Sequence, residues 1–512
     1  MPLLGSLIKR FIKARSLVKL RRNSPVTRQR RVLNKLLRKA EFTEFGKHFH
    51  FTKLISSDNV IEAFRTTVTP YNYESIYKEW WHRMMNEEEN VCWPGKTKYF
   101  ALSSGTSGSA SKHIPVTREM IKAIQRGSIR QILSLANYDL QADTFEKGIL
   151  MLGGSTKLNR KGRYFEGDLS GISAAKLPFW FQHFYKPGKK ISEEQDWEKK
   201  LDEITELAPK WDVAFVVGVP AWIQIMIERI IARHKLKAIH DVWPNLICYV
   251  HGGVSFEPYR KSFEKLFARP ISYVDTYLAS EGFVAFQTNP NTKAMKLLTD
   301  NGIFFEFVPF DERNFDSNGD LLPTAKPLHI GEVLENTPYA LLLSTCAGAW
   351  RYLIGDVIKF TSLNEAEIVI VGRTKHYLSM CGEHLSIDNM NKAIEMCSEK
   401  FNVSVREFCV AGIPHTTMFA HHWYVACDEK INANDFKEAL DANLKKVNDD
   451  YAVERIAALK DVIVDLIPTQ LFYKWMEQHH KMGGQNKFPR VMKGSQYDDW
   501  KSFVEAEMKT RS

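Results

Sequence analysis

The chain has 512 residues, which is long enough to bury a large core and to form more than one domain. Its hydrophobic content of 44% and charged content of 25% are typical of a globular protein, and no apolar run is long enough to cross a bilayer. The seven cysteines are scattered and never form a Cys-x-x-Cys pair, which argues against a structural zinc site. Reduced thiols are therefore expected, and with them a cytoplasmic location.

The formal net charge of +10 is concentrated near the N-terminus. Residues 1–40 contain thirteen Lys or Arg and no Asp or Glu, so the remainder of the chain carries −3. Apolar residues at helical spacing beside Lys9 and Arg10 are compatible with a membrane-surface helix, an organelle transit peptide or a helix on the protein's own large domain. We favour the last interpretation, because ordinary surface helices share this pattern. A nucleic-acid or membrane-surface binder remains a weak alternative.

The first distinctive stretch is a loop of glycines and small hydroxyl residues from Ser103 to Lys112. The apolar run before it predicts a strand, and the pattern after it predicts a helix from about Thr117. Glycines let the backbone approach a ligand, hydroxyls donate hydrogen bonds and Lys112 adds positive charge, so the loop has the properties that bind a polyphosphate. Its glycine spacing fits neither the Walker pattern nor a dinucleotide fingerprint, and a linker is the alternative interpretation.

Strands and helices alternate in the middle of the chain. Buried-type strands are predicted at 213–217, 246–250 and 271–275, with helices at 221–234 and from about 255 to 268 between them. This alternation predicts a largely parallel sheet with helices on its faces. Ligands bind beyond the carboxyl ends of such strands, where the loop and residues 251–254 and 276–282 are expected to lie.

A more strand-dense stretch follows, with strands predicted at 303–308, 340–345, 356–360 and 368–371 and with Asp356 at the turn that opens the third of them. The pattern changes again after Gly372-Arg373-Thr374-Lys375. Beyond that point a helix, a hairpin and two further helices predict a small α+β unit. We therefore predict an α/β protein with two domains. Residues 1–371 form a large N-terminal domain with mostly parallel sheet flanked by helices plus a β-rich portion, and residues 372–512 form a small mobile α+β domain.

Three further motifs follow the loop in order, namely Tyr277-Leu278-Ala279-Ser280-Glu281-Gly282, Trp350-Arg351-Tyr352-Leu353-Ile354-Gly355-Asp356 and Gly372-Arg373-Thr374-Lys375. Together with the loop, they resemble the adenylate-forming enzymes, and within them the auxin-responsive acyl-acid amido synthetase family in its bacterial form. The resemblance covers nearly the whole chain, including Pro94-Gly95-Lys96, residues 305–309 and residues 483–490. Each motif alone is weak, but four in this order are specific.

The resemblance implies that the chain binds ATP and magnesium. The nucleotide would be held by the loop and by two glycines after a strand: Ser103, Ser104, Gly105, Thr106, Ser107, Lys112, Gly252 and Gly253. Adenine would stack on Tyr277 and the α-phosphate would contact Ser280. Glu281 would help to hold magnesium, which prefers carboxylate and phosphate oxygens. Asp356 would accept hydrogen bonds from the ribose hydroxyls.

The resemblance also implies roles for three basic residues. Arg351 would contact ribose or phosphate, and the alternative is a salt bridge to a nearby acid. In these enzymes the small domain turns about a hinge, here near 372–375, and brings a late basic residue over the nucleotide. Lys487 is the first candidate for this residue and Lys375 the second. Together with Glu281, these two lysines are the candidate catalytic residues.

The implied reaction is the activation of a carboxylic acid as an acyl-adenylate, followed by transfer of the acyl group to an amino acid or another amine. The same intermediate would also serve an acyl-CoA ligase, which is the alternative enzyme. Apolar segments at 172–180, 219–223 and 252–254 are candidates for the acyl pocket. The sequence leaves open the acid, the amine, the base of the second step and the oligomeric state.

Overall fold

The structure is a computed structural model. It describes residues 24–103, 112–138, 140–177, 181–316, 319–374, 377–378, 385–415, 418–448, 451–452, 455, 459–483 and 487–511. The α-helices of these residues are α1 Pro25–Ala40, α2 Glu44–His48, α3 Phe51–Ile55, α4 Val60–Thr67, α5 Tyr73–Ile76, α6 His82–Met85, α7 Arg118–Ser134, α8 Leu169–Ala174, α9 Lys189–Ser192, α10 Trp197–Leu207, α11 Pro220–His234, α12 Glu257–Glu264, α13 Ile387–Phe401, α14 Ala433–Val447, α15 Thr469–Gln478 and α16 Ser495–Arg511. A π-helical turn, Tyr77–Trp81, joins α5 to α6.

The strands of the same residues are β1 Tyr99–Ser103, β2 Lys112–Val116, β3 Gly148–Leu152, β4 Asn159–Lys161, β5 Tyr164–Gly167, β6 Tyr185–Lys186, β7 Val213–Gly218, β8 Cys248–Gly252, β9 Ser272–Ala279, β10 Gly282–Gln287, β11 Met295–Leu297, β12 Ile303–Pro309, β13 Pro338–Thr345, β14 Tyr352–Ser362, β15 Glu367–Arg373, β16 Tyr377–Leu378, β17 Leu385–Ser386, β18 Phe408–His415, β19 Met418–Ala426, β20 Leu459–Ile467 and β21 Val491–Met492.

Eleven strands form one central sheet in the order β12-β13-β14-β15-β11-β10-β9-β8-β7-β3-β6. The half from β9 to β6 is parallel, whereas the half from β12 to β9 is antiparallel. Parallel neighbours need crossover connections, which α11 and α12 supply between β7, β8 and β9. The predicted fold class is confirmed, and the parallel sheet and the β-rich portion are two halves of a single sheet.

The antiparallel half of this sheet curls back towards the parallel half. Strands β9 and β14 lie four places apart in the strand order. At about 4.8 Å per strand, a flat sheet would separate them by roughly 19 Å. Nevertheless, the Tyr277 hydroxyl on β9 donates a hydrogen bond to the Asp356 carboxylate on β14. The curvature therefore brings together two residues that are 79 positions apart in the sequence.

Helix α1 shows how the sheet is covered. Its buried face contains Val32, Leu33, Leu36 and Leu37, which recur at helical spacing. The Gln29 side chain of the same helix donates to the carbonyl oxygens of residues 299 and 303, at 2.8 and 2.9 Å. The part of the basic segment from residue 25 onwards therefore packs against the central sheet. The surface helix beside Lys9 and Arg10 was predicted earlier in the chain and stays a prediction. Residues 1–23 are outside the described residues.

The first motif is carried by a hairpin rather than by a strand and a helix. Strands β1 and β2 pair in an antiparallel manner with Ser103 opposite Lys112, in a sheet of order β2-β1-β5-β4. The prediction missed β2, although it placed the helix correctly. Helix α7 begins at Arg118, and the Thr117 hydroxyl caps it by accepting from the Met120 amide.

The C-terminal residues build a separate four-stranded sheet of order β20-β19-β18-β21. Helices α13 and α14 share one apolar cluster with this sheet. Residues of α15 and α16, such as Phe472 and Trp500, instead belong to a cluster that continues into the large domain through Trp222 on α11. The last strand of the central sheet ends at Arg373. The domain boundary between residues 371 and 372 stays a prediction.

Candidate active site

Two glycines stand at the end of β8, where the neighbouring strand β9 leaves no room for a side chain. Strand β8 ends at Gly252, and a Cβ atom there would lie 2.4 Å from the carbonyl oxygen of Thr276 on β9. The next residue, Gly253, has a φ of +88°, which favours glycine. The sequence places these residues at the carboxyl end of a parallel strand, and the structure agrees. The backbone is thus open to ligand approach at this edge.

The next strand carries the second motif, but not in the predicted way. The prediction placed Tyr277 directly after a strand, whereas it lies within β9. Only Ser280 and Glu281 form the turn into β10, and both are buried, with 5% and 6% exposure. Gly282 follows with a φ of +139°. The short turn therefore fixes the Glu281 carboxylate at the end of the sheet.

Asp356 is the centre of a small hydrogen-bonded cluster. It lies within β14, not at a turn before the strand as predicted, because β14 extends from Tyr352 to Ser362. Its Oδ2 accepts from the Tyr277 hydroxyl, and its Oδ1 lies 2.8 Å from Nε of Arg373. The hydroxyl, carboxylate and guanidinium together make a polar surface with donors and an acceptor.

Arg373 is a site residue that sequence reasoning did not assign. It was noted only as part of the stretch that ends the large domain. The antiparallel register between β14 and β15 places it opposite Asp356. Treating the predicted strands 356–360 and 368–371 as a hairpin would have paired Asp356 with residue 372 or 373. The signal was present in the spacing of the two strands.

Glu281 has a raised pKa. Burial is the main cause, the Asp356 carboxylate adds to it, and Arg373 and Lys112 oppose it, so that the pKa of Glu281 rises to about 7. The pKa of Tyr277 is raised well above its ordinary value, mainly by burial and then by Asp356. The charges of Asp356, Arg373 and Lys112 therefore all act on the Glu281 carboxyl group.

Lys112 also connects the first motif to the site. Its Nζ lies 5.2 Å from the centroid of the Tyr73 ring, and its charge reaches Glu281. Ser103 lies opposite it in the hairpin. Lys112, at the described end of the loop, is therefore close enough to Glu281 for its charge to oppose the rise of the Glu281 pKa. The loop itself is outside the described residues, and with it the predicted phosphate ligands Ser104, Gly105, Thr106 and Ser107.

Lys487 comes from the C-terminal region and reaches the glycines of β8. Its Nζ donates a hydrogen bond to the carbonyl oxygen of Gly253. The residue as a whole is exposed, but its amino group lies in the cleft. Loss of hydration there, and secondarily the positive charge of Arg373, lower the pKa of Lys487 to about 8, against the influence of Asp356. Lys375, the second candidate, is outside the described residues.

Arg351 is placed away from this cluster. Its Nε and Nη2 donate to the two carboxylate oxygens of Glu306, each at 2.9 Å, and Nη1 donates to the carbonyl oxygens of residues 65 and 68. Both side chains are almost completely buried. The guanidinium is committed to this ion pair, which corresponds to the salt bridge given above as the alternative. We therefore do not include Arg351 in the proposed nucleotide site.

The residues that line a cleft between the large domain and the C-terminal region extend the site. Val219, Ala221, Trp222 and Val254 of the large domain lie there together with Lys487 and Phe488. Two of the three segments predicted for the acyl pocket thus meet beside Lys487. The third is in part outside the described residues, because residues 178–180 are not described.

A larger cleft, about 480 Å³ in volume, lies at the opposite end of the parallel strands. Its lining includes Gly148 at the start of β3 and Asp212 just before β7. Asp212 is occupied by an ion pair with Lys147 at 2.7 Å. Because ligands of such sheets bind at the carboxyl ends, we do not assign the site to this cleft.

A metal ion at the candidate site would have few protein ligands. The described residues contain no group of three or more His, Cys, Asp or Glu side chains that could hold a metal ion. Glu281 is the carboxylate at the turn, and it is buried beside Asp356. Magnesium is commonly bound by one or two carboxylates with water and substrate phosphates completing its shell. This donor set is therefore compatible with magnesium carried by a nucleotide.

Comparison with family models identifies the chain. Models described as the GH3 family N-terminal, central and C-terminal domains match residues 15–202, 296–373 and 388–496. The chain belongs to the GH3 family. The predicted resemblance to the acyl-acid amido synthetases is confirmed by this match and by the names of the family's relatives.

Two curated relatives illustrate the similarity. The chain is 28% identical over 148 residues to "Probable indole-3-acetic acid-amido synthetase GH3.6" of Oryza sativa subsp. japonica. The aligned residues cover 27% of this chain and 29% of that protein. The chain is also 28% identical over 171 residues to "Jasmonoyl--L-amino acid synthetase JAR6" of Nicotiana attenuata. This alignment covers 32% of this chain and 28% of that protein. The aligned segments thus span less than a third of each relative's length.

Solved structures extend the similarity over the whole chain. "AtGH3.15 acyl acid amido synthetase in complex with 2,4-DB" has a TM-score of 0.76 at 17% identity and covers 99% of this chain and 96% of that chain. A 2-hydroxyisobutyryl-CoA ligase in the postadenylation state has a TM-score of 0.60 at 12% identity and covers 95% and 93%. At these identities the similarity establishes the fold. No helix of the described residues is long and apolar enough to span a membrane.

Proposed function

We propose that this GH3 protein is an ATP-dependent, AMP-forming acyl acid amido synthetase. It activates a carboxylic acid as an acyl-adenylate and transfers the acyl group to an amino acid or another amine. The observation that carries the proposal is the meeting of Tyr277, Asp356 and Glu281 with Lys487 from the C-terminal region at one edge of the central sheet. Membership of the family favours this chemistry over others that the fold supports.

The nucleotide would lie across the polar cluster. In this proposal the Tyr277 ring stacks on adenine, and Asp356 exchanges its bond with the Tyr277 hydroxyl for bonds from the ribose hydroxyls. Arg373 orients the Asp356 carboxylate through the contact of 2.8 Å between its Nε and Oδ1. Ser280, Gly252 and Gly253 lie beside the phosphates.

The phosphates and magnesium would lie towards the hairpin of β1 and β2. We retain the loop of residues 104–111 as the phosphate ligand, because Lys112 pairs with Ser103 at its base and carries a positive charge that acts on Glu281. Magnesium, when bound, neutralises phosphate charge and activates the α-phosphorus. Glu281 would be its protein ligand, and loss of its proton accompanies binding because its pKa is raised to about 7.

The first step needs positioning and charge neutralisation more than acid–base catalysis. The attacking carboxylate is already ionised at neutral pH. Lys487, whose Nζ is held at the Gly253 carbonyl, would place its charge beside the transferred group. The lowered pKa of about 8 still leaves most of this amine protonated at neutral pH. Lys375 remains the second candidate for this role.

The second step would follow a rotation of the C-terminal region. We propose that residues 372–512 turn as a unit about residues 372–375 and carry Lys487 away from the nucleotide. The apolar residues Val219, Trp222 and Val254 would then surround the acyl group. A neutral amine attacks the activated carbonyl, and AMP leaves.

The buried thiols fit a cytoplasmic location, which we include in the proposal. Six cysteines of the described residues are free and buried. Burial raises the pKa of the Cys92, Cys248 and Cys346 thiols, so they are poorly reactive. These residues therefore act as small apolar groups of the core, as expected in a reducing compartment.

An acid screen tests the proposal. Purified protein is incubated with ATP, magnesium and a panel of apolar and aromatic carboxylic acids, and pyrophosphate release is measured. Acids that give release are then supplied with a mixture of amino acids or with coenzyme A. We expect amide and AMP with an amino acid. Thioester without amide would instead identify an acyl-CoA ligase. If none of the acids gave pyrophosphate release, the result would contradict adenylation altogether.

A further inference from the structure

Three buried side chains meet where the large domain touches the C-terminal region. Tyr259 lies on α12, the helix that follows the Gly252-Gly253 end of β8. Glu407 immediately precedes β18, and Arg490 immediately precedes β21. Tyr259 is 1% exposed, and the side chains of Glu407 and Arg490 are 4% and 10% exposed. No role in binding the nucleotide is assigned to these residues above, although all three line the same cleft as Lys487.

The three side chains form a connected set of short contacts. The Tyr259 hydroxyl donates to Oε1 of Glu407 at 2.6 Å, and Nη1 of Arg490 lies 2.6 Å from Oε2 of the same carboxylate. The same Nη1 donates to the Phe408 carbonyl at 3.0 Å, and the guanidinium lies 4.5 Å from the centroid of the Phe408 ring. A carboxylate this deeply buried is costly unless both oxygens are bonded, and here both are.

This cluster is joined directly to the segment that carries Lys487. Arg490 lies three residues beyond Lys487, and its carbonyl oxygen accepts a backbone hydrogen bond from Val410 at 2.9 Å. Between them, the Phe488 ring packs 4.7 Å from Phe472 and 4.9 Å from Trp500, measured between ring centroids. The position of Lys487 is thus determined by where Arg490 and Phe488 are held.

The bonds of the cluster divide unequally between the two parts of the molecule. Glu407 and Arg490 both belong to the C-terminal region, so their ion pair stays intact if that region turns. The Tyr259 hydroxyl is the group that the large domain contributes. At this cluster a rotation would therefore break one hydrogen bond to a charged group and leave the buried ion pair intact. It would also break the bonds from Lys487 to the Gly253 carbonyl and from Lys261 to the Ser398 carbonyl. A second pair across this contact, Arg406 with Glu228 at 2.9 Å, is more exposed and contributes less.

We propose that Tyr259, Glu407 and Arg490 are positioning residues for adenylation. They hold the C-terminal region where Lys487 reaches the nucleotide, and they release it when the Tyr259 hydrogen bond breaks. This inference rests on the proposed function, because it gives the held arrangement a role in the first of the two steps. Its physical content, the placement of Lys487 by Tyr259, is measurable without any substrate.

The chemical reactivity of Lys487 measures that placement. Trace labelling with acetic anhydride over a pH series, followed by peptide mass spectrometry, reports the apparent pKa of the Lys487 amine. In the unchanged protein we expect titration near 8 rather than at the ordinary 10.5. In Tyr259→Phe, which removes only the hydroxyl, we expect the midpoint to move upwards because the amine leaves the cleft. With an acid found in the screen, we expect pyrophosphate release to fall about 10-fold.

The chain provides a matched control in Tyr451→Phe. The Tyr451 hydroxyl donates to Asp441 at 2.8 Å, and Asp441 is also bonded by Nε of Arg455 at 2.7 Å. This is the same trio of hydroxyl, carboxylate and guanidinium, but it lies wholly within the C-terminal region. Its loss should change stability without moving the Lys487 midpoint or lowering pyrophosphate release.

The outcomes separate this inference from the proposed function. An unchanged Lys487 midpoint in Tyr259→Phe, or an ordinary midpoint in the unchanged protein, would overturn the positioning role even if adenylation is found. A shifted midpoint would support it even if no acid in the panel reacts. Glu407→Gln serves as a second variant, because it keeps the shape of the side chain while weakening both bonds. It should shift the midpoint in the same direction, and thermal unfolding checks that each variant is folded.

Discussion

At the scale of single residues, the site combines groups whose protonation depends on one another. Glu281 is buried beside a second carboxylate, so its charged form is disfavoured in the absence of a cation. The neighbouring Asp356 is instead paired with Arg373 at 2.8 Å and bonded by Tyr277. The two carboxylates thus have different environments, and the proposal gives them different roles, ribose binding for Asp356 and metal binding for Glu281.

The raised pKa of Glu281 predicts a measurable effect on stability. Below about pH 4.5 this carboxyl group is protonated in both the folded and the unfolded chain. As pH rises towards 7, the unfolded chain releases the proton first, so the folded state loses stability by up to about 3 kcal/mol. We expect Glu281→Gln, which cannot ionise, to be more stable than the unchanged protein at pH 8 by this order of magnitude.

Urea unfolding at pH 4.5 and pH 8 checks this prediction without magnesium or nucleotide. The stability difference between Glu281→Gln and the unchanged protein should be small at the lower pH and large at the higher one. Adding magnesium with ATP should stabilise the unchanged protein more than the variant. Equal differences at both pH values would mean that Glu281 is not buried as described.

At the scale of elements, the tight turn between β9 and β10 determines where Glu281 points. Gly282 closes this turn with a φ of +139°, and a Cβ there would lie 3.0 Å from Cδ1 of Ile303 and from Sδ of Met120. A side chain at this position would be both strained and crowded. The turn is therefore held by packing against α7 and β12, which cover it.

Replacing Gly282 tests the turn. We expect Gly282→Ala to cost about 1–3 kcal/mol of stability and to reduce acid-dependent pyrophosphate exchange by much more than its effect on folding explains. Gly302→Ala is the matched control, because Gly302 has a φ of +84° and its Cβ would lie 3.0 Å from Sγ of Cys346. The control should lose similar stability and keep its exchange activity. Equal loss of exchange in both variants would contradict a specific role of the turn.

Sequence patterns predicted these elements where local signals were strong. Buried apolar runs identified β7 and β8, and the helical pattern after the loop placed the start of α7 near Thr117. Strand β2 was missed, because Lys112-His113-Ile114-Pro115-Val116 contains polar residues and a proline. The length of β14 was underestimated, so Asp356 was placed at a turn. In both cases, pairing with residues distant in the sequence determines whether the segment is extended, and local composition does not show this.

At the scale of the whole molecule, the site depends on two long-range features that no local pattern contains. One is the curl of the central sheet, which joins Tyr277 to Asp356. The other is the packing of the C-terminal region against the large domain, which places Lys487 at Gly253. The order of motifs along the chain indicated most members of the site, whereas Tyr259, Glu407 and Arg490 emerged only from the packing. Of the two alternatives given for Arg351, the salt bridge likewise depends on a distant residue, Glu306.

The central claim is that Asp356 holds a nucleotide during adenylation. The direct measurement is acid-dependent exchange of labelled pyrophosphate into ATP by the unchanged protein and by Asp356→Asn. Replacing one acceptor oxygen by an amide should lower exchange about 100-fold or more, since two hydrogen bonds from the ribose are weakened. Asp300→Asn is the control, because Asp300 forms an exposed pair with Arg130 and should exchange normally. Undiminished exchange in a folded Asp356→Asn protein would contradict the assignment of the site.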